Sequence, residues 1–318
     1  MNLSRRNFIV GAVSSAATDM VGCERQKSKG LVRIDPNRVV LAADVHIPIL
    51  RSEQKYRTGR EFPWVVDLVR ENIDEILRLD PLPANFIVLG DLSAMFSEEK
   101  EYVILRELLQ PLRERGIKVT LTMGNHDTRA VFAKAFPECA AQSLVPGRYA
   151  YRVETPFVDF LVLDSLKEPP QEKHRDRSGY GLGEEQTAWA KKALSDLKKP
   201  TFVCAHHHVN QIEIKTEVVN TPKVVGYVHG HHHQWQTDRI ITTWTDDART
   251  LRTVGLGAFG LDGDIGYAIM DVNPEAATLK VIAKDYFFPL PQPKERRPKL
   301  WDELVRDHQG RRFVFPLS

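Results

Sequence analysis

The chain has 318 residues, enough for one large domain or two small ones. Apolar residues make up 42 % and charged residues 27 %, the balance of a soluble globular protein with a full core. A net charge of +2 supplies no bulk field for nucleic acid or an acidic partner, and three cysteines (Cys23, Cys139 and Cys204) make neither a disulfide framework nor a zinc knuckle.

The first stretch, "MNLSRRNFIVGAVSSAATDMVGC", opens with Arg5 and Arg6 and continues in a mostly apolar run from Phe8 to Thr18. That run is shorter than the roughly 20 residues needed to span a bilayer, so it reads as the apolar core of an export signal. "SRRNFIV" resembles the twin-arginine export motif of bacteria, and "MVGC" resembles a lipobox with lipidation at Cys23. Asp19 interrupts the apolar run, and Met20 stands where leucine is usual. Residues 1–22 are therefore read as an export signal, 23–37 as a polar tether, 38–288 as the folded domain and 289–318 as a Pro-rich, charged tail without legible chemistry. The expected location is the periplasm or cell envelope, with acylated Cys23 as the only link to a membrane.

Strand-length and helix-period patterns then alternate. "VVLAAD" (Val39 to Asp44) is a short buried strand. Phe62 to Leu79 places Phe62, Val65, Val66, Val69, Ile73, Ile76 and Leu77 on one helical face. "NFIVLGD" (Asn85 to Asp91) is a second strand, Glu98 to Gly116 a second helix and Ile117 to Asn125 a third strand. This β-α-β-α-β order implies parallel strands with right-handed crossovers and a site at the carboxyl ends of the strands. In the second half, Tyr149–Glu154 and Val158–Ser165 read as a hairpin, and Gly183–Lys199 as a helix burying Trp189, Ala193 and Leu197. Pro200–Ala205 and Lys223–Gly230 read as strands that deliver histidines, followed by short strands at Ile240–Thr245, Tyr267–Val272 and Thr278–Ala283.

The histidines are not scattered. Nine of the eleven fall in "ADVHIP" (His46), "MGNHDTR" (His126), "CAHHHVN" (His206–His208) and "VHGHHH" (His229, His231–His233). Five motifs, "DVH", "GD", "GNHD", "HHH" and "GHHH", each follow a strand and join carboxylate, amide and imidazole. That donor mixture suits zinc, manganese or iron rather than calcium or magnesium alone. The glycines before Asp91, Asn125 and His231 suit a strand that must turn at once beside an ion.

The order D-x-H, G-D, G-N-H-D, H and G-H-x-H resembles the calcineurin-like metallophosphoesterase superfamily, over residues 38 to about 285. The resemblance implies an α/β protein, a four-layer α/β/β/α sandwich with two central mixed sheets, and two divalent or transition metal ions (Mn, Zn or Fe). Carried onto this sequence, Asp44, His46 and His233 hold the first ion, Asn125, His206 and His231 the second, and Asp91 bridges both. His126 is the catalytic group that faces substrate and binds no metal. His231 and His233 are expected on one side by strand alternation, with His232 pointing away. His229 is either an outer support or a plain strand residue. His206 is aligned as the ligand of "HHH", His207 lines the pocket, and the role of His208 stays open. Arg129 is a candidate phosphate contact, set against an ordinary solvated surface position.

The implied reaction is phosphoester hydrolysis in which a metal-bound hydroxide attacks phosphorus and His126 stabilises the transition state or protonates the leaving alkoxide. Asp127 is placed to orient neighbouring groups. Phosphoprotein phosphatases carry aspartate three residues after the "GD" aspartate, and purple acid phosphatases carry tyrosine there. Here the position is Ala94, so His126 needs another orienting partner and a ferric purple site is not expected. "GNHDTRAVFAKAF" resembles the corresponding block of bacterial cyclic-nucleotide and glycerophosphodiester phosphodiesterases, which favours a small phosphodiester substrate. The 24 residues between His206 and His231 are few for the cap or dimerisation insertion of that branch. The alternatives are a phosphomonoesterase or nuclease, or a lipoprotein that binds metal or phosphate without turnover.

Overall fold

The first strand, β1 (Ile34–Ala42), is exposed in alternation at its start and wholly buried at its end, as a strand entering the centre of a covered sheet must be. The computed structural model describes residues 32–49, 64–94, 97–167, 179–240, 249–261, 263–287 and 306–317. The export signal, Cys23, most of the tether, Phe62 and residues 288–305 lie outside these.

Helix α1 (Trp64–Ile76) buries Val65, Val69, Ile73 and Ile76, one stripe at helical spacing. Its buried Asn72 donates through Nδ2 to the Phe259 carbonyl at 3.0 Å, fastening the helix to that distant loop. Strand β2 (Leu82–Leu89) follows, then α2 (Glu99–Glu114) and β3 (Lys118–Thr122). The start of α2 is tied to the loop after β2, because the Glu101 carboxylate accepts both the Glu98 N–H at 2.9 Å and the Ser93 hydroxyl at 2.7 Å. β3 ends three residues before the expected Asn125, which already belongs to a turn with His126. Two short helices without a sequence-level signal follow, α3 (Arg129–Ala135) and α4 (Pro137–Gln142).

The expected hairpin forms from β4 (Tyr151–Glu154) and β5 (Asp159–Leu163), paired antiparallel. Helix α5 (Gly183–Ser195) buries Gln186, Ala190 and Leu194, so its inner stripe is rotated from the expected one and Trp189 and Ala193 flank it half-buried. β6 (Thr201–Ala205) and β7 (Val224–His229) enclose only a short 3-10 turn at Val209–Gln211 and helix α6 (Lys215–Asn220), so the short spacer between His206 and His231 holds no inserted domain. β8 (Gln236–Ile240) follows, and all but the first residue of the strand expected at Ile240–Thr245 lies outside the described residues. β9 (Leu251–Gly255), β10 (Gly263–Val272) and β11 (Ala276–Phe287) complete the middle of the chain. The tail is not featureless: β12 (Arg312–Pro316) pairs with β11 and buries Phe313 and Phe315 while Val314 faces out. The domain therefore extends past the expected boundary at residue 288.

Two six-stranded mixed sheets result, ordered β12-β11-β10-β1-β2-β3 and β4-β5-β6-β7-β9-β8. Neighbouring β1, β2 and β3 are parallel, as are β5, β6, β7 and β9, with antiparallel strands toward the edges. Strand alternation sorts the second sheet between two cores. Phe160, Val162, Phe202, Cys204 and Val228 join the large core that also holds the first sheet, whereas Leu161, Leu163, Val203, Ala205 and Tyr227 join the core beneath α5 and α6. Helices thus cover the outer faces of two stacked sheets, the four-layer arrangement. Cys139 and Cys204 are buried thiols without a disulfide, and burial pushes both above their usual range.

Candidate metal centre

The loops after β1, β2, β3, β6 and β7 meet at one end of the two sheets. The backbone after β1 keeps its partner past the end of the ladder: Asp44 N–H donates to the Gly90 carbonyl at 3.0 Å and His46 N–H to the Asp91 carbonyl at 2.9 Å. Asp44, His46, Asp91, His231 and His233 all have positive φ, between +49° and +71°. Ser97 is the only other non-glycine in that conformation among the described residues. Each such residue costs of order 1–3 kcal/mol, a strain that concentrates where side chains must be aimed against backbone preference. Strand alternation therefore does not aim His231 and His233. β7 stops at His229, and left-handed turns aim them instead. His232 points away as expected, exposed and hydrogen-bonded to Gln236 at 2.9 Å.

The glycines have a more specific cause than turning room. Only Gly90 of the three has a positive φ, +77°. A Cβ on Gly124 would lie 2.2 Å from Asp91 Oδ1, and one on Gly230 would lie 2.6 Å from Asp44 Oδ2. The missing side chains make way for carboxylates.

The acids and imidazoles interlock. Asp44 accepts the His231 N–H at 2.9 Å, and Asp91 Oδ1 accepts the His126 N–H at 2.8 Å. On one side, His233 Nε2 lies 3.2 Å from Asp44 Oδ1 and 3.1 Å from His46 Nε2. On the other, His206 Nε2 lies 3.0 Å from Asn125 Oδ1 and 3.3 Å from Asp91 Oδ2. Asp91 Oδ2 is also 3.7 Å from His46 Nε2, so it stands between the two groups. Ligand atoms of Asp44, His46, Asp91 and His233 lie within 4.8 Å of one another, as do those of His206, His207 and His231.

Hydrogen bonds to the Nδ1 atoms orient His206 and His207. His206 Nδ1–H donates to the Leu89 carbonyl at 2.9 Å, so Nε2 faces Asn125 and Asp91 and becomes a ligand atom when it gives up its proton to a metal ion. Ser165 Oγ accepts the His207 backbone N–H at 3.2 Å and lies 2.9 Å from His207 Nδ1, so Nδ1 is engaged and Nε2 is the His207 nitrogen left to face the site.

Charge follows from burial and neighbours. Asp44 and Asp91 are 0 % and 1 % exposed. Burial would raise both, but His233 holds Asp44 below the usual carboxylate range, and His206, His126 and His46 hold Asp91 well below it. Burial lowers His46 to about 3 and His231 to about 4, so both are neutral nitrogen donors at ordinary pH. Burial opposes protonation of His206 too, yet Asp91 overrides it and raises His206 to about 9. Burial, with His206 next, takes His207 down to about 2.

Residues around the centre take roles that the structure makes definite. Asp127 is buried and accepts the backbone N–H groups of Leu92, Ser93 and Gly124 and the Tyr102 hydroxyl, at 2.9–3.2 Å. It fixes the loops after β2 and β3 to each other, and burial beside Asp91 raises it to about 7. His126 Nδ1 lies 2.6 Å from the Ala94 carbonyl, so the backbone of Ala94 orients the imidazole at the very position where the side chain cannot. Arg129 does not offer its fork to a phosphate: Nε and a terminal nitrogen grip the buried Asp164 at 2.7 and 2.8 Å. His229 is fully buried, donates through Nδ1 to the Gly230 carbonyl at 2.9 Å and stays outside both ligand groups. Asp264 brackets His233, donating its N–H to the His233 carbonyl at 2.8 Å and accepting the Trp235 N–H at 2.9 Å. Nothing in the local sequence around Asp264 signals that role.

Residues 37–235 match the calcineurin-like phosphoesterase family. The chain belongs to that family. The fold is similar to a dimetal phosphatase from Danio rerio, with a TM-score of 0.59 and 14 % identity over 89 % of this chain and all of that one. It is also similar to TT1561 of Thermus thermophilus, with a TM-score of 0.46 and 10 % identity over 74 % of this chain and 94 % of that one. No curated protein sequence matches the chain. Buried acids, imidazoles whose Nε2 atoms face the site and an amide oxygen are donors suited to divalent metal ions.

Proposed function

We propose that the protein is a phosphodiesterase that uses two transition metal ions, of the manganese, zinc or iron type, on a small phosphoester. The supporting observation is the convergence of the two ligand groups on Asp91 Oδ2, 3.3 Å from His206 Nε2 and 3.7 Å from His46 Nε2. Asp44, His46 and His233 would hold one ion, and Asn125, His206 and His231 the other, with Asp91 shared. When bound, the ions supply Lewis acidity for an in-line phosphoryl displacement.

The chain's own groups do the rest. Asp44 and Asp91 carry the negative charge that selects cations. His207, neutral and protonated at Nε2, donates to a phosphoryl oxygen. His126, turned by the Ala94 carbonyl, gives a proton to the departing alkoxide. The resemblance of "GNHDTRAVFAKAF" to phosphodiesterase blocks points to a diester. Export through the Arg5–Arg6 signal, with a lipid at Cys23, would place the enzyme in the cell envelope.

The test is turnover of nitrophenyl mono- and diesters with Mn²⁺ or Zn²⁺. A higher kcat/KM for the diester supports the reading. A preference for the monoester would make the protein a phosphatase, and no turnover with any metal would leave a binding protein.

A further inference from the structure

Beside the second ligand group stands an aromatic side chain that the hydrolytic reading does not use. Tyr180 is 48 % exposed and is the only aromatic among the exposed large apolar side chains of the described residues. Its ring lies 5.8 Å from that of His207, which lies 4.8 Å from the ring of His231 and 4.7 Å from that of His206. No hydrogen bond engages its hydroxyl among the described residues, and His207 is its one ring neighbour there. The backbone beneath it is nonetheless fixed. Tyr180 bridges to Leu166, Gly181 N–H donates to the Ser165 carbonyl at 3.0 Å, and Lys167 N–H donates to the Gly179 carbonyl at 3.2 Å. A Cβ on Gly179 would lie 2.1 Å from the Lys167 carbonyl oxygen, so the close approach demands glycine. The same Ser165 that holds His207 through its hydroxyl thus anchors the segment carrying Tyr180 through its carbonyl.

A held backbone presenting a half-exposed aromatic ring next to His207 is a recognition element. Aromatic rings bind planar groups by stacking, at about 1–3 kcal/mol per nucleobase. We propose that Tyr180 is a specificity-determining residue that stacks on a planar aromatic group of the substrate, a nucleobase or an aryl ring, while His207, positioned by Ser165, donates Nε2–H to the adjoining phosphoryl group. This assignment rests on the phosphoester reading of the site and narrows it to aromatic phosphoesters.

Calorimetry on the full-length, metal-loaded protein separates the two claims. Wild type is expected to bind adenosine monophosphate more tightly than inorganic phosphate. Tyr180→Ala should shrink that preference about five- to tenfold, and Tyr180→Phe should restore it, because stacking needs the ring and not the hydroxyl. Ser165→Ala should weaken both ligands together, since only the phosphoryl donor is disturbed, with metal content as the check on the fold. In turnover, the ratio of kcat/KM for an aryl methyl diester to that for dimethyl phosphate should fall in Tyr180→Ala through KM rather than kcat. Equal weakening of both ligands by Tyr180→Ala, or no wild-type preference for adenosine monophosphate, overturns the stacking assignment. Absence of turnover in wild type alongside the expected binding pattern would instead overturn hydrolysis and leave the stacking site standing.

Discussion

The two sheets bring different chemistry to one site. The loops after β1, β2 and β3 contribute two carboxylates, an amide and two imidazoles; the loops after β6 and β7 contribute imidazoles alone. Each half is incomplete for a physical reason. Buried acids without a facing cation are costly, and neutral imidazoles without a nearby anion hold cations weakly. In the metal-free protein the deficit is met by a proton on His206, which Asp91 raises to about 9. Metal ions would fill the same electrostatic role more fully, so their binding free energy also holds the sheets together. The centre is a cross-sheet clasp as much as a reaction site.

The strongest way to break that comparison is Asp91→Asn, which removes the one charge both halves share. It should lose more than one metal per chain by elemental analysis and abolish metal-dependent turnover, a drop of about 10³-fold or more if the ions supply several kcal/mol. Two metals and full activity in this variant would show that Asp91 does not bridge. Next comes His126→Ala, which should keep both metals yet slow an alkyl diester by about 10²–10⁴-fold, with a much smaller loss on a nitrophenyl diester that departs unaided. Equal losses on the two substrates would assign His126 to transition-state charge instead.

Single-ligand changes sharpen the division between halves. His233→Ala should weaken one metal and His231→Ala the other, so competition with a chelator should show one altered affinity in each. Loading the second group should also release about one proton at pH 7, because His206 is protonated below about 9 in the metal-free state. Calorimetry in buffers of different ionisation enthalpy reads that proton.

The smallest effect concerns His229, buried outside the ligand groups. Its folded pKa of about 3, set by burial, is below the unfolded value of 6.5, so the unfolded chain takes the proton first and stability falls as pH drops from 6.5 toward 3. At pH 5 the cost is about 2 kcal/mol. Metal-free His229→Gln should therefore lose less stability than wild type between pH 7 and pH 5 in urea denaturation. An identical loss would mean that His229 titrates normally.

Much of this was legible because the informative residues are local. Buried strands read as apolar runs, and the motifs follow them directly, so the convergence of Asp44, His46, Asp91, Asn125 and His126 could be argued from strand order. What could not be read depends on three dimensions. The inner stripe of α5 is set by the sheet it packs on, and β12 is a strand only because β11 lies beside it. Arg129 looks like a phosphate contact until Asp164, 35 residues away, takes its fork. The Ala94 carbonyl replaces a missing side chain, and a backbone partner leaves no trace in residue identity.

The left-handed turns have one more consequence, for anyone wishing to make this protein hardier. Glycine at Asp44, His46, Asp91, His231 or His233 would relax a backbone that these residues hold under tension. The positions where a stabilising substitution is easiest to propose are therefore those where chemistry forbids it. A screen for heat tolerance alone would drift toward an inert, relaxed version of the same sandwich, so selection for robustness has to be run together with selection for metal retention.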